Sequence, residues 1–286
     1  MGDALNDLTQ AANAESSIEK SRMTATMATR GDVVTGVTTT TPSPRVRRTL
    51  AGRLHYFWSL SVAALLLLVF APPAISISWV FRRRHWVYPW ALFGAREWLR
   101  LSGMKIVVRG RENMQDGKTY VLAANHRSYL DTATLFAHTG RRVGLFAKKE
   151  LLKVPILGYG MGYVNIMAID RSNRTRAIET VRAATERIRS GRTFGVFVEG
   201  KRAPRGELLP FKKGAFYMAR DAGVDIIPVA IKHTDGLMGK GTGVSQPGTI
   251  EMVLLPAIST AGVESDDDVA HLIATVREAI AGELRR

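Results

Sequence analysis

The feature that most restricts the fold is a long apolar stretch without charged side chains. Residues 54–81 contain no Lys, Arg, Asp or Glu, and residues 63–70 at its centre are apolar throughout. A helix of about 20 apolar residues is long enough to cross the hydrocarbon core of a bilayer. The core helix of a soluble protein is the alternative, but such helices are usually shorter. We therefore predict a membrane-embedded helix, interrupted part-way by Pro72-Pro73.

The surroundings of this stretch suggest how it sits in a membrane. A second segment, residues 85–99, is rich in Trp, Tyr and Arg and suits the membrane interface. Both flanks of the apolar stretch are basic, so the positive-inside rule does not orient it. The basic residues are Arg45, Arg47, Arg48 and Arg53 before it, and Arg82, Arg83 and Arg84 after it. Either one spanning helix or a hairpin that enters a single leaflet fits.

The chain divides into three parts. Residues 1–44 are polar and lack aromatic side chains, which predicts a disordered tail. Residues 45–103 form the predicted membrane-associated helical segment. From residue 104 to residue 286, apolar strand-like runs alternate with helical patterns. This alternation predicts an α/β domain with a mixed, largely parallel sheet flanked by helices.

A short polar stretch, Asn125-His126-Arg127-Ser128-Tyr129-Leu130-Asp131, joins a predicted strand to a predicted helix. Histidine in general has an unperturbed pKa near neutrality, and a carboxylate such as Asp131 would fix the tautomer of the His126 imidazole. Such a pair is suited to taking a proton from a hydroxyl group. A turn histidine followed by an aspartate at a helix start is the alternative interpretation.

Polar residues also follow three other predicted strands. They are Lys148-Lys149, Asp170-Arg171, and Glu199-Gly200-Lys201-Arg202. If these strands share the direction of the strand before His126, all four ends meet at one edge of the sheet. Asp170-Arg171 could instead be a surface ion pair of little energetic value.

The charge predicts an anionic partner, and the composition excludes several chemistries. The formal net charge is +15, and residues 141–213 alone carry 17 basic and 6 acidic side chains. Nucleic acid, an anionic bilayer and a phosphorylated substrate all fit this excess. The chain has no Cys, which excludes disulfides, zinc–thiolate sites and cysteine nucleophiles. No His-Glu-x-x-His or similar ligand spacing occurs, so we predict no metal and no cofactor.

Taken together, these segments resemble the glycerolipid acyltransferases, a family that includes the 1-acylglycerol-3-phosphate acyltransferases. Residues 125–131 match the family's Asn-His-x-x-x-x-Asp signature, and the other blocks follow in the family's order between residues 105 and 255. Those blocks are residues 147–158, 169–171, 196–202 with 209–214, and 227–230. Two positions depart from the usual Phe-Pro-Glu-Gly-Thr-Arg of the third block, with Val198 replacing Pro and Lys201 replacing Thr.

The resemblance implies a reaction. His126 would be the general base and Asp131 its orienting partner, so that an acceptor hydroxyl attacks an acyl thioester without a covalent acyl-enzyme. Acyl-CoA or acyl carrier protein would be the donor, and lysophosphatidic acid the acceptor, giving phosphatidic acid in phospholipid synthesis. The implied substrate-binding residues are Asn125, Ser128, Lys148, Arg171, Glu199, Gly200, Lys201 and Arg202.

The resemblance also implies the partners and the location. An anionic membrane and an acyl thioester donor are expected, nucleic acid is not, and the catalytic domain is expected on the cytoplasmic face of the membrane. Two alternatives are an acyltransferase for glycerol-3-phosphate or another lysolipid, and a non-catalytic lipid-binding membrane protein with a relict site.

Overall fold

The computed structural model describes residues 36–40 and 48–286, in which a helical pair packs against an α/β domain. The helices in chain order are α1 (Leu50–Val80), α2 (Val87–Leu101), α3 (Tyr129–His138), α4 (Leu157–Met161), α5 (Arg174–Arg189), α6 (Gly214–Ala222), α7 (Thr234–Met238) and α8 (Asp266–Arg285). The strands are β1 (Thr38–Thr39), β2 (Met104–Arg109), β3 (Tyr120–Ala124), β4 (Val143–Lys148), β5 (Ile166–Ile169), β6 (Thr193–Phe197), β7 (Glu207–Leu208), β8 (Asp225–Lys232) and β9 (Gly248–Leu254).

The central sheet has seven strands in the order β2-β9-β8-β3-β6-β4-β5. All neighbouring pairs are parallel except β8 and β9, so the predicted mixed, largely parallel sheet is confirmed. Every residue of β3 is buried, as expected of a central strand covered on both faces. Because β3, β4, β5 and β6 run in the same direction, their carboxyl ends lie at one edge of the sheet.

Helix α1 contains the predicted apolar stretch. Among the described residues it is the one helix long and apolar enough to cross a membrane, and only 11% of its most apolar 18-residue window is buried. The predicted interruption at Pro72-Pro73 is wrong, since the helix continues through both prolines. Packing on both sides of the prolines explains this: the Phe70 ring contacts Phe93 at 5.3 Å between centroids, and Ala74 is buried.

Helix α2 packs along α1, and polar contacts tie the pair to the α/β domain. The Ser59 hydroxyl lies 2.8 Å from that of Ser102, and the Trp98 indole N–H donates to the Ser59 carbonyl at 2.9 Å. At the start of α1, the backbone N–H of Ser245 donates to the Gly52 carbonyl at 2.9 Å. These bonds join α1 to α2 and α1 to the domain, and α2 is joined to the domain by Arg96, whose Nε donates to the Ala137 carbonyl at 3.1 Å.

The amino-terminal segment departs from the predicted disordered tail. Residues 1–35 and 41–44 lie outside the described residues, but residues 36–40 are described and include β1. Strand β1 pairs antiparallel with β7, with Thr38 opposite Leu208. The prediction failed here because the partners of this segment, Leu208 and the buried Arg277, lie far away in the sequence.

Candidate active site

The loop between β3 and α3 is held by backbone hydrogen bonds to one buried carboxylate. Ser128 is the N-cap of α3, and its side chain accepts a bond from the Leu130 N–H at 3.2 Å. Asp131 is fully buried, and its Oδ2 accepts from the N–H groups of Arg127 at 2.6 Å and Ser128 at 2.7 Å. The polarity of the helix start favours a negative charge here.

His126 is paired with the same carboxylate. Its Nδ1 lies 2.9 Å from Asp131 Oδ2. Because the carboxylate only accepts, Nδ1 carries the proton and Nε2 is left as a proton acceptor. One face of the imidazole stacks on the Phe197 ring, with centroids 4.0 Å apart and the planes 20° from parallel. The His126 side chain keeps 16% exposure, so the imidazole is held in one orientation with a limited opening toward solvent.

Glu199 holds the loop from the neighbouring strand end. Its Oε1 accepts from the His126 N–H and its Oε2 from the Leu209 N–H, both at 2.7 Å. Burial raises the pKa of this carboxyl to about 7, against the opposing effect of the two backbone hydrogen bonds. Both oxygens are used inside the protein and the residue is buried. Glu199 therefore positions His126, which corrects its assignment as a substrate-binding residue.

Asn125 and Ser128 were also assigned to substrate binding, and the structure buries both. The Asn125 side chain donates to the Ile231 carbonyl at 3.0 Å and accepts from the Ile231 N–H at 2.7 Å. The Ser128 hydroxyl donates to the Met238 carbonyl at 2.6 Å. These bonds connect the loop to β8 and α7. Since both side chains are fully engaged in the interior, they shape the loop and do not present a group to a substrate.

The remaining assigned residues lie at the carboxyl edge of the sheet, as the strand directions require. Lys148, Arg171 and Lys201 are exposed, and the Arg202 guanidinium lies 3.8 Å from the centroid of the Tyr129 ring. Arg171 donates to the carbonyl of Gly200, whose φ of 70° is readily adopted by glycine. Gly200 thus contributes a backbone carbonyl to Arg171. These four cations make the edge basic.

Asp170 belongs to a different ion pair from the one considered from the sequence. Its Oδ2 accepts from Lys149 Nζ at 2.8 Å, so its partner is Lys149 and not the adjacent Arg171. This lysine and the Ser172 hydroxyl hold the pKa of the Asp170 carboxyl well below its usual range. The Asp170 charge is therefore compensated by Lys149, and Arg171 donates to the Gly200 carbonyl instead.

Sequence reasoning noted the block that contains Phe197 and Val198 but missed what these two residues do at the site. Phe197 stacks on the catalytic candidate, and its position two residues before Glu199 was the available signal. Val198, which departs from the family pattern, donates its N–H to the Ala124 carbonyl at 3.1 Å. A proline at this position could not make that bond. The substitution therefore adds a hydrogen bond between the ends of β3 and β6.

A histidine base oriented by a carboxylate, at the carboxyl edge of a mixed sheet and beside an apolar helical pair, defines a class of α/β protein suited to activating a hydroxyl. Residues 105–232 match the Acyltransferase family model. This match includes the blocks between residues 125 and 230 on which the sequence resemblance rests.

Individual relatives show the same similarity. The chain is 34% identical over 188 residues to the 1-acyl-sn-glycerol-3-phosphate acyltransferase of Saccharomyces cerevisiae, covering 65% of this chain and 61% of the relative. It is 32% identical to the alpha form of that enzyme from Mus musculus, with 63% and 64% covered. The chain thus spans less than two thirds of the length of these curated relatives. The crystal structure of the 1-acyl-sn-glycerophosphate acyltransferase PlsC from Thermotoga maritima is similar, with a TM-score of 0.72, 25% identity, and 83% and 96% coverage.

Proposed function

We propose that the protein transfers an acyl group from an acyl thioester to the free hydroxyl of lysophosphatidic acid, giving phosphatidic acid. The observation that carries this proposal is the contact of His126 Nδ1 with Asp131 Oδ2 at 2.9 Å, which leaves Nε2 as the base. The names of the relatives, 1-acyl-sn-glycerol-3-phosphate acyltransferases, support this choice of acceptor.

The position of His126 supports direct transfer of the acyl group from the thioester to the acceptor hydroxyl. His126 Nε2 takes the proton of the acceptor hydroxyl as its oxygen attacks the thioester carbonyl carbon. Asp131 stabilises the imidazolium that forms, as a carboxylate does in a serine-hydrolase triad. Collapse of the tetrahedral intermediate breaks the carbon–sulfur bond, and the imidazolium returns the proton to the departing thiolate. The acceptor hydroxyl takes the place of an enzyme nucleophile, so no acyl-enzyme is required.

The basic edge accounts for anionic substrates. Lys148 ends β4, Arg171 follows β5, and Lys201 and Arg202 follow β6, so all four share the carboxyl edge of the sheet with the His126 loop. Guanidinium groups bind phosphate by paired, charge-assisted hydrogen bonds, which suits Arg171 and Arg202 to the acceptor phosphate. Acyl-CoA and acyl carrier protein are both anionic donors that the same field would attract.

A cavity supports an acyl chain as part of the substrate. It has a volume of about 430 Å³ and lies between the helical pair and the domain, beside α3 and β5. Its wall is almost entirely apolar and includes Leu67, Phe70, Trp90, Phe136, Met161 and Ile166. Burying an acyl chain there would contribute about 0.8 kcal/mol per methylene. None of the lining residues belongs to the His126 loop, and the cavity meets α3 at Phe136, so an acyl chain held there would have to run along α3 to reach His126.

Gly94 offers a test of this assignment. It lies within α2 and lines the cavity, and a Cβ built on it meets no atom within 4 Å. Gly94→Leu should fold well, because leucine is favoured over glycine in a helix by roughly 1 kcal/mol. By filling the cavity it should lower kcat/KM for a 16-carbon donor about tenfold relative to a 10-carbon donor.

The measurement is kcat/KM for both acyl-CoA donors, with Gly282→Leu as the control. Gly282 lies in α8, away from the cavity, and a Cβ there meets only the Arg285 side chain, at 4.0 Å. If the ratio of kcat/KM between the two donors is the same in wild type and Gly94→Leu, the acyl chain lies elsewhere.

The apolar helical pair supports a membrane location. The exposed side of α1 and α2 carries large apolar side chains, including Phe57, Leu65, Leu68, Trp79 and Trp90. The basic edge would be drawn to the anionic lipids of the cytoplasmic leaflet. We accordingly place the domain on the cytoplasmic face.

The proposed function is tested on the full chain in detergent micelles supplied with palmitoyl-CoA and lysophosphatidic acid. Phosphatidic acid is expected as the product, identified by mass spectrometry. The assay is repeated with glycerol-3-phosphate and with other lysophospholipids as acceptors. It is also repeated with the acyl group carried by acyl carrier protein as the donor. If product forms with only one of these substitutes, that molecule takes the place of the proposed acceptor or donor. If the protein binds lipid and forms no product with any substrate, it is a lipid-binding protein and the proposed reaction is wrong.

A further inference from the structure

Arg127, between the proposed base and the N-cap of α3, carries a buried guanidinium with only 2% exposure. A buried charge is costly unless it is paired and hydrogen-bonded. Its Nε donates to the Glu207 carbonyl at 3.0 Å, and its two terminal nitrogens reach Asp235 Oδ2 at 3.5 Å and the Thr40 hydroxyl. The guanidinium therefore joins the loop to β7, to α7 and to the segment preceding the membrane helix.

The backbone of Arg127 is part of the proposed catalytic pair. Its N–H donates to Asp131 Oδ2 at 2.6 Å, and this is the oxygen that contacts His126 Nδ1. A displacement of the guanidinium would move this peptide and weaken one of the bonds that orient the carboxylate. Asp131 Oδ2 thus couples the position of Arg127 to the orientation of His126.

Residues 36–40, which we term the strap, are held at both ends by buried arginines. Thr40 is buried, and its N–H donates to the Gly206 carbonyl at 2.8 Å while its hydroxyl contacts Arg127. At the other end, Arg277 donates to the Gly36 carbonyl and to the Thr38 hydroxyl, both at 2.7 Å. Strand pairing with β7 fixes the middle of the strap.

We propose that Arg127 and Thr40 are positioning residues for His126, so that the strap is part of the catalytic structure. The inference deepens the proposed acyl transfer and rests on it for its kinetic readout. A strap that only added stability would change the folded fraction and leave the folded enzyme unaltered. A positioning role changes the folded enzyme itself, in kcat and in its dependence on pH.

The direction of the pH effect follows from the bonds of Asp131. Without the Thr40 hydroxyl, the Arg127 peptide shifts and the Asp131 carboxylate loses part of one hydrogen-bond donor. The carboxylate then attracts the imidazolium more strongly, so the acidic limb of the rate profile moves to higher pH than in wild type. The other charged groups near the His126–Asp131 pair are Glu199 after β6, Arg127 itself and Asp235 on α7, and a Thr40 variant keeps all three.

The test compares Thr40→Val with Thr39→Val in the full chain in detergent micelles. Both variants replace a hydroxyl by a methyl in the strap, but Thr39 is exposed and Thr40 is buried. Thr40→Val should lower kcat about tenfold with both KM values within about twofold of wild type, whereas Thr39→Val should match wild type. The acidic limb of the kcat profile should lie at higher pH in Thr40→Val than in wild type. Thr40→Ser keeps the hydroxyl and should restore both values.

A second readout does not depend on acyl transfer. The rate at which diethyl pyrocarbonate modifies His126, followed by mass spectrometry between pH 5 and 8, gives the titration midpoint of that residue. We expect the same upward shift in Thr40→Val and none in Thr39→Val. An unchanged midpoint together with an unchanged kcat would overturn the proposal, as would a loss of rate fully explained by unfolded protein. Wild type without acyl transfer would overturn the proposed function, and the modification midpoint would still decide the role of the strap.

Discussion

His126→Ala is expected to reduce kcat for acyl transfer by about a hundredfold or more, because a positioned general base contributes that much to proton transfer. The KM values should change less, since the basic edge and the cavity that we assign to the substrates are separate from the imidazole. The measurement is phosphatidic acid formation from palmitoyl-CoA and lysophosphatidic acid at saturating concentrations of both. Asp131 should remain buried in the variant, because the Arg127 and Ser128 N–H groups still bind it.

His271→Ala is the matched control. His271 is exposed on α8, so its removal should leave the rate unchanged. Wild-type turnover in His126→Ala would contradict the mechanism, because no other described histidine contacts Asp131. An equal loss in both variants would point to a general effect of histidine removal on the protein.

Glu199→Gln is expected to have the second largest effect, although the two side chains have nearly the same shape. Both Glu199 oxygens accept backbone N–H groups, from His126 and from Leu209. A glutamine presents an NH₂ group to one of these donors, which leaves a buried N–H unsatisfied at a cost of about 1–3 kcal/mol. The peptide of His126 should shift, and kcat should fall at least about tenfold. Glu186→Gln, an exposed position on α5, is the control.

The same variant gives a stability prediction with a definite sign. Burial raises the pKa of Glu199 from 4.5 to about 7, so the folded state holds this proton more tightly than the unfolded state. The stability contributed by the group is fully present below pH 4.5 and is lost as the pH rises toward 7. The advantage of wild type over Glu199→Gln in thermal unfolding should therefore be larger at pH 5 than at pH 8. An advantage that grows with pH would mean that Glu199 is stabilised as a carboxylate.

The parts of the molecule that the sequence predicted depend on short-range patterns. Residues 54–81 carry no charged side chain, and the stretch is as long as a helix that crosses a membrane. Helix α1 contains nearly all of these residues. The runs of polar residues after β3, β4, β5 and β6 end at one edge because the strands are parallel, which an alternating α/β pattern already indicates. His126 and Asp131 are close in sequence, so their contact required only a loop followed by a helix.

The remaining features depend on partners that are distant in sequence. Asn125 and Glu199 were assigned to a substrate because the sequence does not reveal Ile231 and Leu209 as their partners. The strap was assigned to a disordered tail for the same reason, since its binding partners follow it by 87 residues or more. Pro72-Pro73 predicted an interruption because helix propensity is local, whereas the packing of Phe70 on α2 is not.

The cavity beside α3 has walls from two sources, with α1 and α2 on one side and α4 and β5 on the other. The membrane anchor is for this reason not a module that could be exchanged independently of the α/β domain. A chimera that took α1 and α2 from a relative would carry half of a foreign cavity, and under the acyl-chain role that we propose its preference for acyl chains would follow the anchor as much as the domain. The lipid environment and the substrate therefore constrain the same two helices through different side chains, such as the exposed Leu65 and Leu68 and the cavity-lining Leu66 and Leu67.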